Sequence, residues 1–310
     1  MPGFPTSFET GIGIRIPWGS RIPAQASRNY NWVQIEVPWA ELQPVPGRPP
    51  SWERLDPLIQ QAAQQGLCVL ISLQQAPSWA RTTNGPQVEA VQALVQALLQ
   101  RYPQAFRALE LFPAANTHAG WGAPPDPQAY LALYQAVQPL LKRQGVLPVA
   151  LGLTPLDASS APDDQDDLSY LEAFYRLPGA RQVPVISLRL PHVNADPTAP
   201  DRPPQISLRH YERVRALMQA HQHPDGLLWL TNVQSAYTIS SWQVQVLQQV
   251  SNLLYVGAVF FNTAEPIRPP QNPLPKTWPK SVPKQAIRKT SHAIFPASPT
   301  GMAHLAHCRL

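Results

Sequence analysis

The chain has 310 residues, of which 44% are hydrophobic and only 14% charged, and its formal net charge is +5. Its longest apolar runs are far shorter than the ~20 residues of a membrane-spanning helix, and its first twenty residues lack the pattern of a secretory signal. We therefore expect no membrane span and take a cytoplasmic location as the default. Two cysteines exclude a disulfide framework, and Cys68, inside an apolar run, is predicted to be a small core residue.

The positive charge is concentrated in a tail. No acidic residue follows Glu265, whereas seven basic residues do, and residues 266–310 also contain nine prolines. The first 265 residues hold 17 basic and 19 acidic side chains, a net charge of −2. The net charge of residues 1–265 therefore does not favour nucleic-acid binding. We predict a boundary near Pro266, with a domain over 1–265 and an extended or disordered segment over 266–310.

Eight β-rich runs alternate with helical patterns through the body, as in parallel βα units. The runs begin near Gly11, Asn31, Leu67, Arg107, Val146, Val183, Leu227 and Leu254. Eight strands and about seven helices predict an α/β fold, a single (β/α)8 TIM barrel, which typically has about 250 residues. An open doubly wound sheet is the alternative, but no GxGxxG or GxxxxGK[ST] motif supports a nucleotide site. The first connection looks short, and no eighth helix is visible.

Several helices have recognisable ends or faces. Asp56 is predicted to cap one helix, with Pro57 in its first turn and Gly66 past its end. Asp126 and Gly145 are predicted to bracket another in the same way. Three more helices are indicated by apolar stripes at helical spacing, after Pro86 (Val88, Val91, Leu94, Val95, Leu98), Ser207 (Tyr211, Val214, Leu217, Met218) and Ser241 (Val244, Leu247, Val250).

Alternation within the strands predicts which side chains fill the barrel. In NWVQIEVPW the apolar residues at alternate positions face the helices, which points Trp32, Gln34 and Glu36 inward. The same parity turns four more polar side chains inward: Arg15, Gln74, Glu110 and Arg189. Because lone buried charges are prohibitive, we expect ion pairing of Glu36 and Glu110 to Arg15 and Arg189.

The run from Trp32 to Ala80 carries a family resemblance. It has a strand followed by Trp and Glu-x-x-Pro, then Trp-x-x-x-Asp opening a helix, then a strand followed by Pro-x-Trp-Ala. With RYPQAFRALELFPAANTHAGWG, DPQAYLALYQAV, LLWLTNVQSAYT and VGAVFFNTAEP, it resembles the clan A glycoside hydrolases, retaining glycosidases built on a (β/α)8 barrel. The resemblance is strongest to families 39 and 5 and spans about residues 30–265. It implies the barrel fold and a sugar-shaped cleft.

The family's two catalytic glutamates have no counterpart in this sequence. They stand at the carboxyl ends of strands 4 and 7, one as acid/base and one as nucleophile. Aligning the family's Asn-Glu-Pro-Asn motif on ALELFPAANTHAGW puts Pro113 at the asparagine and Ala114 at the acid/base position. At strand 7 the family's Trp-apolar-Thr-Glu reads Trp-Leu-Thr-Asn and ends at Asn232.

Neither replacement supports the family's reaction. Alanine has no proton to donate and an amide is a poor nucleophile, whereas general acid catalysis alone typically supplies ~10²- to 10⁴-fold. A shifted alignment restores neither group, because no carboxylate lies between Leu111 and Pro125 or between Gly226 and Glu265. The inward or strand-end candidates for relocated catalytic carboxylates are Glu36, Glu110 and Glu265.

The strand ends and following loops still offer aromatic and polar groups suited to a sugar. The resemblance and the strand positions predict a substrate-binding rim of Trp39, Trp79, Asn116, His118, Trp121, His192, Asn232, Tyr237, Phe261 and Asn262. Phe261 stands where the family usually has tryptophan. The alternative is that these aromatic rings pack loops against the barrel mouth.

Three functions remain open. The first is a catalytically inactive glycosidase homologue that binds a carbohydrate or serves as a scaffold. The second is an active O-glycosyl hydrolase with relocated carboxylates, and the third is a ligand-free, vestigial barrel.

No cofactor or metal is expected. The acidic run from Asp163 to Asp167 lacks the spacing of a calcium loop and is predicted to cap a helix. The remaining candidate ligands are too sparse for a metal site: His221, His223, His304, His307 and Cys308.

Overall fold

The computed structural model describes residues 10–156, 160–193, 196–202, 205–235 and 241–262. Eight parallel strands in this part of the chain close into a barrel. They are β1 (Gly11–Ile16), β2 (Trp32–Pro38), β3 (Cys68–Gln74), β6 (Ala108–Leu111), β7 (Leu147–Leu153), β8 (Val185–Arg189), β9 (Leu227–Val233) and β10 (Val256–Phe261). All eight predicted strands are confirmed.

The barrel closes between its first and last strands. β1 pairs in parallel with β10, with Gly11 opposite Ala258, and on its other side with β2. Each remaining strand pairs with its neighbours in chain order. The closed ladder confirms the (β/α)8 barrel and excludes the open doubly wound sheet.

Helices alternate with most of the strands. They are α1 (Trp39–Leu42), α2 (Leu55–Gln64), α3 (Val88–Arg101), α4 (His118–Trp121), α5 (Pro127–Arg143), α6 (Asp167–Tyr175), α7 (His210–Ala220) and α8 (Trp242–Val250). A small antiparallel hairpin, β4 (Arg81–Thr82) and β5 (Gly85–Pro86), follows β3. Between β1 and β2 the described chain has a single 3-10 turn, Ala26–Arg28, and no α-helix. The position of an eighth barrel helix after β10 falls outside the described residues.

The predicted cap at Asp126 is confirmed and the one at Asp56 is wrong. Asp126 accepts hydrogen bonds from the backbone N–H groups of Gln128 and Ala129. Asp56 instead lies in the first turn of α2, which begins earlier than predicted, and its carboxylate binds the Arg101 guanidinium at 2.6 Å. That hydrogen bond, opposed by partial burial, lowers the pKa of Asp56. Asp56 therefore binds Arg101, 45 residues away in the sequence, and does not cap the helix.

The side chains divide as the alternation predicts. The inner cluster of the barrel consists of Trp32, Cys68, Leu70, Ala108, Val149, Val185, Trp229, Ala258 and Phe260. The neighbouring residues Val33, Ile35 and Val37 belong to the larger core between strands and helices. Cys68 is 4% exposed and belongs to the inner cluster, which confirms its prediction as a small core residue.

No helix in the described ranges is long and apolar enough to cross a bilayer. The proposed tail, 266–310, lies wholly outside the described residues, so the boundary near Pro266 stays a prediction.

Candidate functional site

Ala114, which the resemblance aligns with the acid/base, lies in the loop that follows β6. Ala114 has a left-handed backbone with φ of 64°. Its N–H donates to the Gly152 carbonyl oxygen at 2.7 Å, and the Ala115 N–H donates to that of Leu151 at 3.0 Å. This loop is therefore fixed by backbone hydrogen bonds to an irregular stretch of β7. At the position that the resemblance predicts for the acid/base, the side chain is the methyl group of Ala114.

The β7 irregularity is required for that contact. The pairing of β7 with β8 shifts by one residue between Ala150 and Leu153, and φ is 75° at Leu151 and 52° at Gly152. A Cβ atom on Gly152 would lie 2.5 Å from the Cα atom of Pro113. Only a residue without a side chain fits between the two loops.

Replacement of Gly152 by alanine is expected to lower the free energy of unfolding by about 3 kcal/mol, from left-handed strain plus overpacking. Gly145 is the matched control, because it also has a positive φ, of 68°, but a Cβ there would meet no atom within 4 Å. Gly145→Ala should therefore cost about 1 kcal/mol. Urea unfolding of both variants checks the difference, and equal losses would show that the β6 loop does not press on Gly152.

Asn232, which the resemblance aligns with the nucleophile, lies on a bulge in β9. Val259 of β10 pairs with Leu230 and Phe261 pairs with Val233, so β9 has one extra residue between them. Asn232 has φ of 51° and is 6% exposed, and its Oδ1 has no hydrogen-bond partner among the described residues. A buried amide oxygen without a hydrogen-bond partner therefore lies near the carboxyl end of the barrel.

The predicted ion pair between Arg15 and Glu36 is present. The guanidinium donates from Nε at 2.7 Å and from Nη2 at 2.6 Å to the two carboxylate oxygens. Its third hydrogen bond goes to Oδ1 of Asn262 at 2.9 Å, and Asn262 in turn donates to Oε1 of Gln234 at 2.6 Å. Glu36 is therefore held in a bidentate pair that leaves little freedom for acid or base work.

Glu110 has different partners from those predicted. It is fully buried and accepts hydrogen bonds from the hydroxyls of Ser72 and Ser187, the latter at 2.7 Å, and from Nε2 of Gln34 at 3.2 Å. Arg189 acts on it through charge, without a direct hydrogen bond. Burial raises the pKa of Glu110, although the two hydroxyls oppose the shift. This carboxyl lies fully buried in the barrel interior with three side-chain hydrogen-bond donors.

The serines were missed by the sequence reasoning. Ser72 lies opposite Glu36 in the β2–β3 register, and Ser187 precedes Arg189 by two residues on β8. Their inward parity could have identified both as hydroxyl donors. Because serine is common in strands, its position alone does not predict a hydrogen-bond role unless a buried acceptor is already known.

Most aromatic residues of the predicted rim are buried in the protein. Trp39, Trp121 and Phe261 are at most 1% exposed. The Trp39 indole N–H donates to Oε1 of Gln43, and that of Trp121 donates to the Asn84 carbonyl oxygen. These rings pack against protein and present no open face at the mouth.

Trp79 is the partly exposed exception. It stands edge to face with Trp39, 5.5 Å between ring centroids, and borders a depression of about 240 Å³ with Gln43, Pro50 and Ala90. Its indole N–H donates to the Gln43 carbonyl oxygen at 3.2 Å. Ala93, Leu94 and Ala97 of α3 also line that depression, so the partly exposed Trp79 ring borders a hollow beside α3.

The polar residues of the predicted rim lie in different surroundings. Asn116 is buried and holds the Thr154 backbone through both amide atoms. His118 is exposed, and Nδ1 of its ring is hydrogen-bonded to the Asp163 carboxylate. Its backbone N–H donates to the Asp164 carboxylate at 2.8 Å. His192 is exposed, whereas Tyr237 and the fallback carboxylate Glu265 lie outside the described residues. Of the predicted rim, the structure brings Asn262 into contact with Gln234 and Arg15.

The acidic run supports a helix end, as predicted. Asp166 caps α6 by accepting from the Ser169 N–H at 2.9 Å. Asp167, the next residue, binds His210 at 2.8 Å. Among the described residues, no three His, Cys, Asp or Glu side chains are grouped so as to hold a metal ion.

Comparison with solved structures shows the fold. A glucosidase from Croceicoccus marinus matches with a TM-score of 0.60 at 13% identity, over 84% of this chain and 60% of that one. A GH39 β-xylosidase from Caulobacter crescentus matches with a TM-score of 0.55 at 15% identity, over 84% and 63%. Xylanase B from Clostridium stercorarium F9 gives 0.54 at 14%, over 82% and 86%. This chain has the barrel fold of glycoside hydrolases.

The sequence comparisons add no nearer relative. No family model matches the chain, and no curated protein matches it. The chain spans about three fifths of the length of the glucosidase and the GH39 enzyme. At such low identity the likeness establishes the architecture, and the chemistry must be argued from this chain's own residues.

Proposed function

We propose that this protein is a catalytically inactive glycosidase-like barrel that binds a carbohydrate at the carboxyl end of its strands. The observation that carries the proposal is chemical: a methyl group at Ala114 and an amide at Asn232 stand where the resemblance puts the two catalytic glutamates. Neither side chain can perform acid/base or nucleophilic work on a glycosidic bond.

The other carboxylates near the mouth are poor substitutes. Glu36 is 5% exposed and is bound at both oxygens by Arg15. Glu110 is fully buried and bound by two serine hydroxyls. A general acid must reach the glycosidic oxygen and a nucleophile must reach the anomeric carbon, and neither group is free to approach a ligand.

The carbohydrate part of the proposal rests on neutral hydrogen-bonding groups. Oδ1 of Asn232 on β9 is buried without a hydrogen-bond partner. Gln234 and Asn262, which directly follow β9 and β10, are hydrogen-bonded to each other. Sugar hydroxyls pair well with such amides, and Trp79 offers a partly exposed ring for stacking.

Hydrolysis of a panel of aryl glycosides tests the inactive state. The wild type should give no turnover above background, whereas a variant with Pro113→Asn, Ala114→Glu and Asn232→Glu should gain measurable turnover if the cleft is retained. Wild-type turnover well above background would refute the proposal, and loss of that turnover in Glu265→Gln, Glu36→Gln or Glu110→Gln would then locate the relocated carboxylate.

Calorimetric titration with oligosaccharides tests binding separately. Asn232→Gly removes the amide at a position whose positive φ glycine accepts, and it should weaken binding about tenfold or more, as for loss of one buried hydrogen bond. Gln104→Gly is the matched control, since Gln104 is an exposed amide residue with φ of 61° on the connection between α3 and β6. No binding heat with the wild type would refute the carbohydrate part of the proposal and leave a scaffold or a ligand-free, vestigial barrel.

A further inference from the structure

Arg189 is a cation at the barrel mouth whose charged group has no protein partner in the described part of the chain. It is the last residue of β8, at the carboxyl end of the barrel, and stands opposite Thr231 of β9 in the register. Among the described residues its guanidinium makes neither a hydrogen bond nor a close ion pair. A guanidinium has five N–H donors, so all five lack an acceptor there. The side chain is partly exposed, so a ligand can reach it.

The two glutamates near Arg189 are bound by other groups. Both oxygens of Glu36 accept hydrogen bonds from Arg15, and those of Glu110 accept from two serine hydroxyls. Burial lowers the pKa of Arg189, the charges of Glu36 and Glu110 oppose that shift, and the charge of Arg15 adds to it. Because the cost of burying a cation is offset best by an anion in direct contact, Arg189 is placed to bind one.

The strand beside Arg189 also has polar groups that the protein does not pair. Oγ1 of Thr231 and Oδ1 of Asn232 are buried and have no hydrogen-bond partner within the described ranges. Both residues lie near the carboxyl end of β9, which is adjacent to β8 in the barrel. Buried polar groups in proteins are nearly always paired, so unpaired groups on two neighbouring strands favour a binding role for this part of the mouth.

We infer that the carbohydrate ligand is acidic and that Arg189 binds its carboxylate. This inference rests on the proposed function and adds the charge of the ligand to it. The planar guanidinium donates two parallel hydrogen bonds to a carboxylate, a geometry that a neutral sugar hydroxyl does not match. A uronic acid residue supplies that carboxylate and retains ring hydroxyls for the amides of the mouth.

Calorimetric titration with matched ligands tests the charge of the sugar. Oligosaccharides of galacturonate, glucuronate and mannuronate are compared with their methyl esters, which keep the sugar and remove the charge. At least one acid should bind about tenfold or more tightly than its ester, as expected for a hydrogen-bonded charged pair. Arg189→Met should abolish that preference. Arg143→Met is the control and should keep it, because Arg143 is exposed in the last turn of α5, which leads to the opposite end of the barrel.

The outcomes separate this inference from the proposed function. Binding of neutral oligosaccharides without a preference for any acid would overturn the inference and leave the proposed function standing. No binding of any oligosaccharide would overturn both. A preference that survives in Arg189→Met would exclude Arg189 as its source, and sodium acetate that binds as tightly as the acidic oligosaccharides would show that no sugar is recognised.

Arg189→Lys distinguishes ligand binding from a role in folding. It keeps a positive charge near the buried glutamates but lacks the planar donor pair, so it should weaken binding of the acid several-fold. Its urea midpoint without ligand should stay close to that of the wild type. A loss of stability as large as that of Arg15→Lys, which breaks the bidentate pair with Glu36, would show that Arg189 is paired within the protein and would overturn the inference.

Discussion

Arg15→Met is expected to lower the free energy of unfolding by about 3–5 kcal/mol, because it leaves the Glu36 carboxylate buried without its counter-ion. The side chain of Glu36 is 6% exposed and that of Arg15 is 17% exposed, so water compensates little of the loss. Asn262 loses its guanidinium donor in the same variant. Urea unfolding at neutral pH measures the effect.

Two controls separate this effect from a general loss of packing. The Arg54–Glu41 pair has side chains 61% and 53% exposed, so Arg54→Met should cost no more than about 1 kcal/mol. Combining Arg15→Met with Glu36→Gln removes the unpaired charge and should recover part of the loss. If the double variant were as unstable as the sum of its single changes, the ion pair would not be the source of the effect.

His210→Ala is expected to cost about 3 kcal/mol at pH 6, because the imidazolium joins two buried carboxylates. Its Nε2 lies 2.8 Å from Asp167 and its Nδ1 lies 2.8 Å from Asp201, which Arg213 also contacts at 3.3 Å. Both ring nitrogens must carry protons to donate to two carboxylates. Without the His210 ring, the carboxylates of Asp167 and Asp201 lose their shared partner, and Asp201 keeps its contact with the partly exposed Arg213.

The same cluster makes stability depend on pH. Burial alone would lower the pKa of His210, but its hydrogen bonds to Asp167 and Asp201 outweigh burial and raise it. Since the folded pKa lies above the unfolded value of about 6.5, the contribution is complete below pH 6.5 and is lost as pH rises through the folded pKa. Each unit of difference contributes about 1.4 kcal/mol.

A pH series of urea unfolding from pH 6 to pH 10 checks this linkage. The difference in stability between wild type and His210→Ala should shrink as pH rises, and NMR titration of the His210 ring in the wild type gives its pKa directly. A constant difference across the series, or a ring that titrates below pH 6.5, would refute the charged cluster.

The sequence predicts the barrel because alternation is a local property of each strand. Trp32, Gln34 and Glu36 face inward since side chains on a strand alternate, and the pairing of Glu36 with Arg15 then follows from charge. The hydroxyl partners of Glu110 depend instead on the register of β6 against β3 and, through β7, on the position of β8, which no single strand specifies.

The backbone irregularities of the candidate site could not be predicted from the sequence. The bulge at Asn232 and the shift at Gly152 arise from pairing between strands and leave no compositional signal. Asp56 shows the same limit, because a capping residue and an ion-pair residue look alike until Arg101 is brought beside it. Burial of Trp39 and Trp121 likewise depends on loops that fold over them.

The closing pair of strands has a consequence for how the protein forms. β1 and β10 stand near opposite ends of the described chain, with Gly11 opposite Ala258, so their contact has a high loop-closure cost and comes late. Until β10 is in place, β1 and β9 are open sheet edges with unpaired backbone groups. Such edges pair with other chains, so during synthesis this barrel is most vulnerable to aggregation just before its last strand is added.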